Sequence, residues 1–249
     1  MTTPLFHIVI PARMASTRLP GKPLLNIAGK PMIQHVWERC READAASVTL
    51  ATDSQEIVDA ARAFGAEAML TREEHQSGTD RIAEVAGAKG WSGETCIVNV
   101  QGDEPLMPPA AIRQVAACLV ETPGAQLATL ATPIIDDADQ ARPDCVKVVC
   151  DQAGRALYFS RSLIPFPRNK TTVPVLRHLG IYAYRADSLM TLVQEPPCDL
   201  ERTESLEQLR ALWIGQTIAV AQAVEVPPPG VDTQSDLDAV AAVIAKGQR

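Results

Sequence analysis

Short apolar runs alternate with segments of helical period through the first hundred residues, and this rhythm restricts the fold more than any other feature. Residues 6–10, 47–52, 67–70 and 95–100 have the length and apolar character of strands. Between them, Ile33, Val36, Trp37 and Cys40 recur at helical spacing from about Met32, and Ile82, Val85 and Ala86 mark a second helix. Asp53 with Glu56 reads as a capping-box start to a third, running to Phe64 and closed near Gly65. Strands joined this way need crossover connections, so the expected class is α/β: a mostly parallel, Rossmann-like sheet with helices on both faces.

The second half has a different beat. Residues 127–134, 146–150, 156–160 and 179–184 read as strands without long helices between them, which predicts an antiparallel or mixed extension of the first sheet. The proline-rich stretch 165–174 is the expected mobile loop. A helix from about Glu204 is expected to turn Leu206, Leu209 and Trp213 inward, with a last strand over residues 216–226. Thr233 and Asp236 then cap a terminal helix whose stripe is Leu237, Val240, Ala241 and Ile244. No repeat or linker interrupts the chain, so residues 1–249 read as one domain with 127–200 as the extension.

Charge is distributed unevenly. The net charge is −7, yet no Asp or Glu precedes Glu38, while Arg13, Arg18, Lys22 and Lys30 give the first 37 residues +4. Residues 38–249 therefore carry −11. Nucleic acid would need a broad basic face, which an acidic chain with one cationic loop lacks; a small, highly charged anion such as a triphosphate suits it better. The loop follows the first strand and is punctuated by Pro11, Pro20 and Pro23, with Gly21 before Lys22. It is not a Walker A loop, because Pro23 stands at the Ser/Thr position, and no G-x-G-x-x-G fingerprint occurs. Both P-loop and dinucleotide-dehydrogenase readings are thereby disfavoured, leaving a cradle of Arg forks, a Lys point charge and backbone N–H groups.

The six cysteines form no C-x-x-C pair and the four histidines have no zinc-ligand spacing, so reduced thiols and no zinc are expected. No apolar run approaches the roughly 18 residues of a membrane span, and the N-terminus lacks a signal-peptide pattern, so a soluble cytoplasmic protein is expected. In open α/β sheets ligands lie beyond the carboxyl ends of the strands. Asp103 follows the strand at 95–100 there, and Asp232 stands at a similar break before the terminal helix. A carboxylate about 4 Å from a phosphate oxygen is repelled by roughly 4 kcal/mol per charge pair at a surface-like dielectric. These groups share a pocket only with a divalent cation between them, and Mg²⁺ takes one or two carboxylates plus phosphate oxygens.

The segments IPARMASTRLPGKPL (10–24), ATDSQEI (51–57), HQSGTDRIAEV (75–85), VNVQGDEPL (98–106), YFSR (158–161), RHLGIYAYR (177–185), LEQLRALW (206–213) and GVDT (230–233) occur in one order along the chain. Together they resemble the 3-deoxy-manno-octulosonate cytidylyltransferases, or CMP-KDO synthetases. The resemblance implies transfer of CMP from CTP to the anomeric hydroxyl of the acidic sugar KDO, with release of pyrophosphate, for lipopolysaccharide biosynthesis. By it, Arg13, Arg18 and Lys22 form the nucleotide loop, with Ser77, Gly78, Arg81 and Gln101 near the cytidine. Asp103 and Asp232 match metal-binding carboxylates, which with Arg13 and Lys22 form the catalytic set. Arg161, His178, Tyr182, Glu207 and Gln208 match the sugar pocket, with Gln101 between the two substrates. A homodimer paired through the extension is also implied. The alternatives are a cytidylyltransferase for another acidic sugar, such as a sialic acid or an amino analogue, and a non-catalytic nucleotide-binding regulator.

Overall fold

The computed structural model describes residues 4–15, 18–169 and 173–247. Strand β1 (Phe6–Ala12) is followed by the cationic loop, a 3-10 turn at Lys22–Leu24, and a small hairpin, β2 (Asn26–Ile27) with β3 (Lys30–Pro31). Helix α1 (Met32–Arg41), β4 (Ser47–Thr52), α2 (Gln55–Ala63), β5 (Glu67–Leu70), α3 (Gly78–Ala88) and β6 (Cys96–Asn99) follow, as the periodicity predicts. Next come α4 (Pro109–Glu121), β7 (Leu127–Pro133), the short α5 (Asp137–Gln140), β8 (Lys147–Cys150), β9 (Ala156–Ser160) and β10 (Leu176–Arg185). The chain ends with α6 (Ala186–Gln194), α7 (Asp199–Glu204), α8 (Gln208–Trp213), β11 (Ile218–Gln222) and α9 (Gln234–Gly247).

The main sheet runs β11-β7-β10-β6-β1-β4-β5. β6, β1, β4 and β5 pair in parallel, β11 is parallel to β7, and β10 is the antiparallel strand between β7 and β6. β8 pairs with β10, and β9 with β8, both antiparallel, so the extension belongs to the same sheet. Alternation along each strand divides the core in two. Phe6, Ile8 and Ile10 of β1 join α1, α2 and α4 in one cluster, while Val9 joins α3, α6 and α8 in the other. A third cluster, with Leu19, Ile27, Met32 and Val231, seats α9 beside the hairpin. Thr233 and Asp236 cap that helix, the hydroxyl accepting from Asp236 N and the carboxylate from Thr233 N.

Several expectations are corrected. Asp53 does not cap α2: Ser54 is the N-cap, without a side-chain bond, because the Asp53 carboxylate accepts from Arg81 at 2.7 Å. The helix expected from Glu204 is two helices broken at Ser205, whose φ is 51°. Leu206 and Leu209 turn inward as expected, but Trp213, the last residue of α8, is 61% exposed. Helices α4 and α6 were not expected. Pro109 sits at the first position of α4, where its missing N–H costs nothing. Of the loop at 165–174, residues 170–172 lie outside the described residues. No helix among the described residues is long and apolar enough to cross a membrane, and the six cysteines are free thiols.

Candidate active site

Parallel pairing of β1 with β6 brings the two loops that leave their carboxyl ends side by side. Gly102 permits the contact: a Cβ there would lie 2.8 Å from the Pro11 carbonyl oxygen. The loop before α9 closes the third side, tied on by a backbone bond from Val231 N to Asp103 O at 2.9 Å. The result is a cleft of about 360 Å³ lined by Arg13, Arg18, Lys22, His75, Ser77, Gly78, Arg81, Gln101, Asp103 and Asp232. Every residue that sequence reasoning assigned to the nucleotide or the metal is brought to this one cleft.

Gly21 takes a left-handed conformation, φ 66°, which turns Lys22 back into the cleft. The Lys22 ammonium has three protons and three acceptors: Asp103 at 2.7 Å, the Val231 carbonyl at 2.8 Å and Asp232 at 3.2 Å. With a side chain only 14% exposed, it ties the two aspartates together. Arg18 adds a more exposed pair to Asp232 at 3.2 Å, of the kind worth at most about 1 kcal/mol. Arg13 lines the cleft and is exposed. Arg81 is different. Its buried guanidinium is held by Asp53 at 2.7 Å, the Thr71 hydroxyl and the Arg72 carbonyl, so it braces the wall. Asp103 and Asp232 offer hard oxygen donors on one side of a cation-lined cleft, a set that fits Mg²⁺ with phosphate oxygens completing its shell. Glu104, the next residue, turns inward; burial first and the Asp103 charge second push its carboxyl up to about 8.

A second cavity of about 100 Å³ opens beside the first and shares Gly78 and Gln101 with it. Thr79, Asn99, Gly180, Tyr182, Tyr184, Glu207 and Gln208 complete its polar lining. Three buried polar atoms here make no hydrogen bond: the Tyr182 hydroxyl, Gln208 Nε2 and Glu207 Oε1, the last 3.6 Å from the Arg210 guanidinium. Leaving a buried polar group unsatisfied costs about 1–3 kcal/mol, so three in one small cavity mark a surface shaped for a ligand rich in hydroxyls. Burial raises the Glu207 carboxyl above its usual range, opposed by the Thr79 hydroxyl and Arg210.

His178 and Arg161, also expected at the sugar, lie outside the lining of both cavities. The Thr129 hydroxyl sits against the Leu179 and Ile181 carbonyls, which only accept, so it donates to them and accepts from His178 Nε2–H at 3.1 Å. The ring packs on Phe159 and Tyr182, and burial, then the Arg177 charge, lower its pKa to about 3. The Arg161 guanidinium donates to the carbonyls of Glu204 at 2.5 Å, Pro143 at 3.0 Å and Ser205 at 3.2 Å. Sequence reasoning missed His75, Thr79, Asn99 and Tyr184. Thr79 and His75 lie inside the HQSGTDR motif, and Asn99 stands two residues before Gln101, a spacing that puts both on one face of an extended chain.

A Rossmann-like sheet with an Arg/Lys loop facing paired aspartates across its carboxyl edge defines a nucleotidyltransferase. Residues 7–218 match the cytidylyltransferase family, and the chain belongs to that family. It is 57% identical over 244 residues to a 3-deoxy-manno-octulosonate cytidylyltransferase of Pseudomonas fluorescens, covering 94% of this chain and 96% of that protein. It is 56% identical over 247 residues to one of Pseudomonas syringae pv. tomato, covering 96% and 97%. Its structure is similar to that of a CMP:2-keto-3-deoxy-manno-octonic acid synthetase complexed with CTP, at 45% identity and a TM-score of 0.91, covering 98% of this chain and 100% of the other. The resemblance seen in separate motifs thus extends through nearly the whole chain.

Proposed function

We propose that this chain transfers CMP from CTP to the anomeric hydroxyl of KDO, giving CMP-KDO and pyrophosphate. The observation that carries the reading is the pair of adjoining cavities: a cation-lined cleft sized for a nucleotide, and beside it a smaller one with three buried polar atoms that make no hydrogen bond. Gly78 and Gln101 form the wall between them, so groups bound on either side would meet there.

Phosphoryl-group transfer of this kind needs positioning and charge neutralisation more than a covalent intermediate. Arg13 and Arg18 supply positive charge for the phosphates. The three protons of Lys22 are already used, so its contact with a phosphate would trade a carboxylate bond for a phosphate oxygen. Asp103 and Asp232 are the residues that would hold Mg²⁺, which when bound supplies Lewis acidity at the α-phosphate and lowers the pKa of the attacking hydroxyl. Tyr182, Glu207 and Gln208 offer donors and acceptors to the sugar hydroxyls. The Arg161 guanidinium is engaged with three carbonyls, so a role toward the sugar carboxylate would require it to turn from at least one of them.

The chain would work in the cytoplasm as a homodimer paired through the extension, where Ile135, Leu157 and Phe166 are exposed apolar side chains. Light scattering on the purified protein tests the pairing. The function is tested by pyrophosphate release from CTP, with and without KDO and with and without Mg²⁺. Release that requires both is expected; release that ignores the sugar, or occurs only with a sialic acid or an amino analogue of KDO, overturns the substrate assignment. Unchanged turnover after chelation overturns the metal assignment.

A further inference from the structure

The two cavities adjoin at the start of α3, and one residue there has no part in the reading above. Thr79 lies in the first turn of α3, the turn whose Ser77 and Gly78 line the nucleotide cleft. Its buried hydroxyl reaches across 128 residues of sequence to Glu207 Oε2 at 2.8 Å. The other oxygen of that carboxylate, Oε1, accepts no hydrogen bond and stands 3.6 Å from the Arg210 guanidinium, in a residue that lines the small cavity. Fixing one oxygen fixes the direction of the other, because the carboxylate is planar.

Proton accounting sets the sense of this contact. A hydroxyl has one proton, and a carboxylate only accepts, so Thr79 donates to Glu207. On the side of the wall shared by the two cavities, the Asn99 side-chain carbonyl accepts from Gln101 Nε2 at 3.3 Å.

We propose that Thr79 is a positioning residue for the reaction: it holds Glu207 so that Oε1 is presented to a hydroxyl of the sugar. This rests on the CMP-transfer reading for the identity of the substrate. Thr79 lines the small cavity, but its one hydroxyl proton is spent on Glu207, so the positioning role acts through that carboxylate. The alternative is that Thr79 only satisfies a buried carboxylate and supports the fold.

The test compares steady-state kinetics of the wild type with Thr79→Val, Thr79→Ser, Glu207→Gln and the double variant Thr79→Val/Glu207→Gln. The wild type is first assayed with KDO, a sialic acid and an amino analogue of KDO, and whichever sugar turns over is used throughout. Loss of a hydrogen bond to a charged group predicts a rise of about tenfold to a hundredfold in the sugar KM of Thr79→Val, with the CTP KM moving far less. Thr79→Ser keeps the donor and should recover most of the loss. In the Glu207→Gln background the Val substitution should add less than about twofold, because two residues in one linkage are not additive. A sugar KM for Thr79→Val within about twofold of wild type, or additive effects in the double variant, overturns the proposal. Absence of wild-type turnover with every sugar overturns the functional reading instead and the positioning role with it. Should Thr79→Val fail to fold, Thr79→Ala takes its place with the same outcomes.

Discussion

Gly102 sits where the loops after β1 and β6 touch, and Gly102→Ala asks whether that touch sets the geometry of the cleft. The added Cβ would lie 2.8 Å from the Pro11 carbonyl oxygen, 3.2 Å from Ile33 Cδ1 and 3.3 Å from Ala12 Cβ. The Ile33 side chain can turn aside, but the Pro11 oxygen is main chain within β1 and cannot. A carbon settles against a carbonyl oxygen at about 3.3 Å or more, so the two loops must part by roughly half an ångström. Overpacking of this kind costs about 1–3 kcal/mol, and in a chain of this size each kcal/mol lowers Tm by about 2–4 °C. Pro11 and Gly102 both line the nucleotide cleft. Since a misplacement of about 1 Å costs about 10²-fold in rate, half of that predicts about a tenfold loss in kcat/KM for CTP. Gly87→Ala is the control. Nothing lies within 4 Å of its added Cβ, inside α3, so it should gain roughly 0.5–1 kcal/mol and keep full activity. Thermal melting and continuous pyrophosphate release measure both effects. A Gly102→Ala protein that melts with the wild type and keeps kcat/KM within about twofold would refute the contact as the source of the geometry.

Asp103→Asn removes a carboxylate from the cleft but keeps its shape, and should cost about 10²- to 10³-fold in turnover with an unchanged circular dichroism spectrum. Near-wild-type turnover would overturn the proposed role of Asp103 as a metal ligand. His178 has its pKa lowered from 6.5 to about 3, so between those values the unfolded chain binds a proton that the folded chain does not. Stability is then present above about pH 6.5 and lost as pH falls, by up to about 1.4 kcal/mol per pH unit. His178→Gln should remove that slope from urea unfolding between pH 6.5 and 5, and an unchanged slope would show that another group carries it. Lys147→Met leaves the carbonyls of Arg142 and Arg161, bonded by the buried ammonium at 3.0 and 2.5 Å, without a donor. It should lower stability by about 1–3 kcal/mol for each carbonyl left dry, and an unshifted urea midpoint would contradict the reading.

What could be read from the sequence follows the range over which each interaction acts. Strand and helix periods are local, so β1, α1, β4, α2, β5, α3 and β6 were legible from spacing alone. Helix α4 was not read from the sequence, although Ala111, Ile112, Val115, Ala116 and Leu119 recur at helical spacing and bury one face. Asp53 had an acceptable local role as a cap, and lost it to Arg81, a partner 28 residues away. The same competition governs the site. Arg13, Arg18, Lys22 and Asp103 were legible because a cationic loop after one strand and an aspartate after another converge when the strands are parallel neighbours, whereas Ser77, Gly78, Arg81 and Gln101 came from the family resemblance. The pairing of the charges was not legible, since Lys22 meets Asp103 and Asp232 across 81 and 210 residues. Residue type also misleads where the backbone competes for it: Arg161 suggests a counter-ion, yet three carbonyls occupy its guanidinium.

That competition explains how an anion site on an acidic chain can be stable without its anion. Two carboxylates facing one cleft repel each other, and a buried ammonium alone would be costly to desolvate. Placing Lys22 between Asp103 and Asp232 cancels both penalties, and the backbone bond from Val231 to Asp103 holds the carboxylates at the distance the ammonium spans. A divalent cation entering with a triphosphate would offset part of its charge and, by taking the aspartates as ligands, would free Lys22 to meet a phosphate oxygen. A phosphate without its cation would have to draw Lys22 from the aspartates and leave them unpaired, which would disfavour the free nucleotide if the aspartates hold the metal as proposed. Free CTP should therefore bind more weakly than CTP with Mg²⁺ in the wild type, and Asp103→Asn should narrow that difference in a calorimetric titration; an unchanged difference would mean that the aspartates do not read the metal.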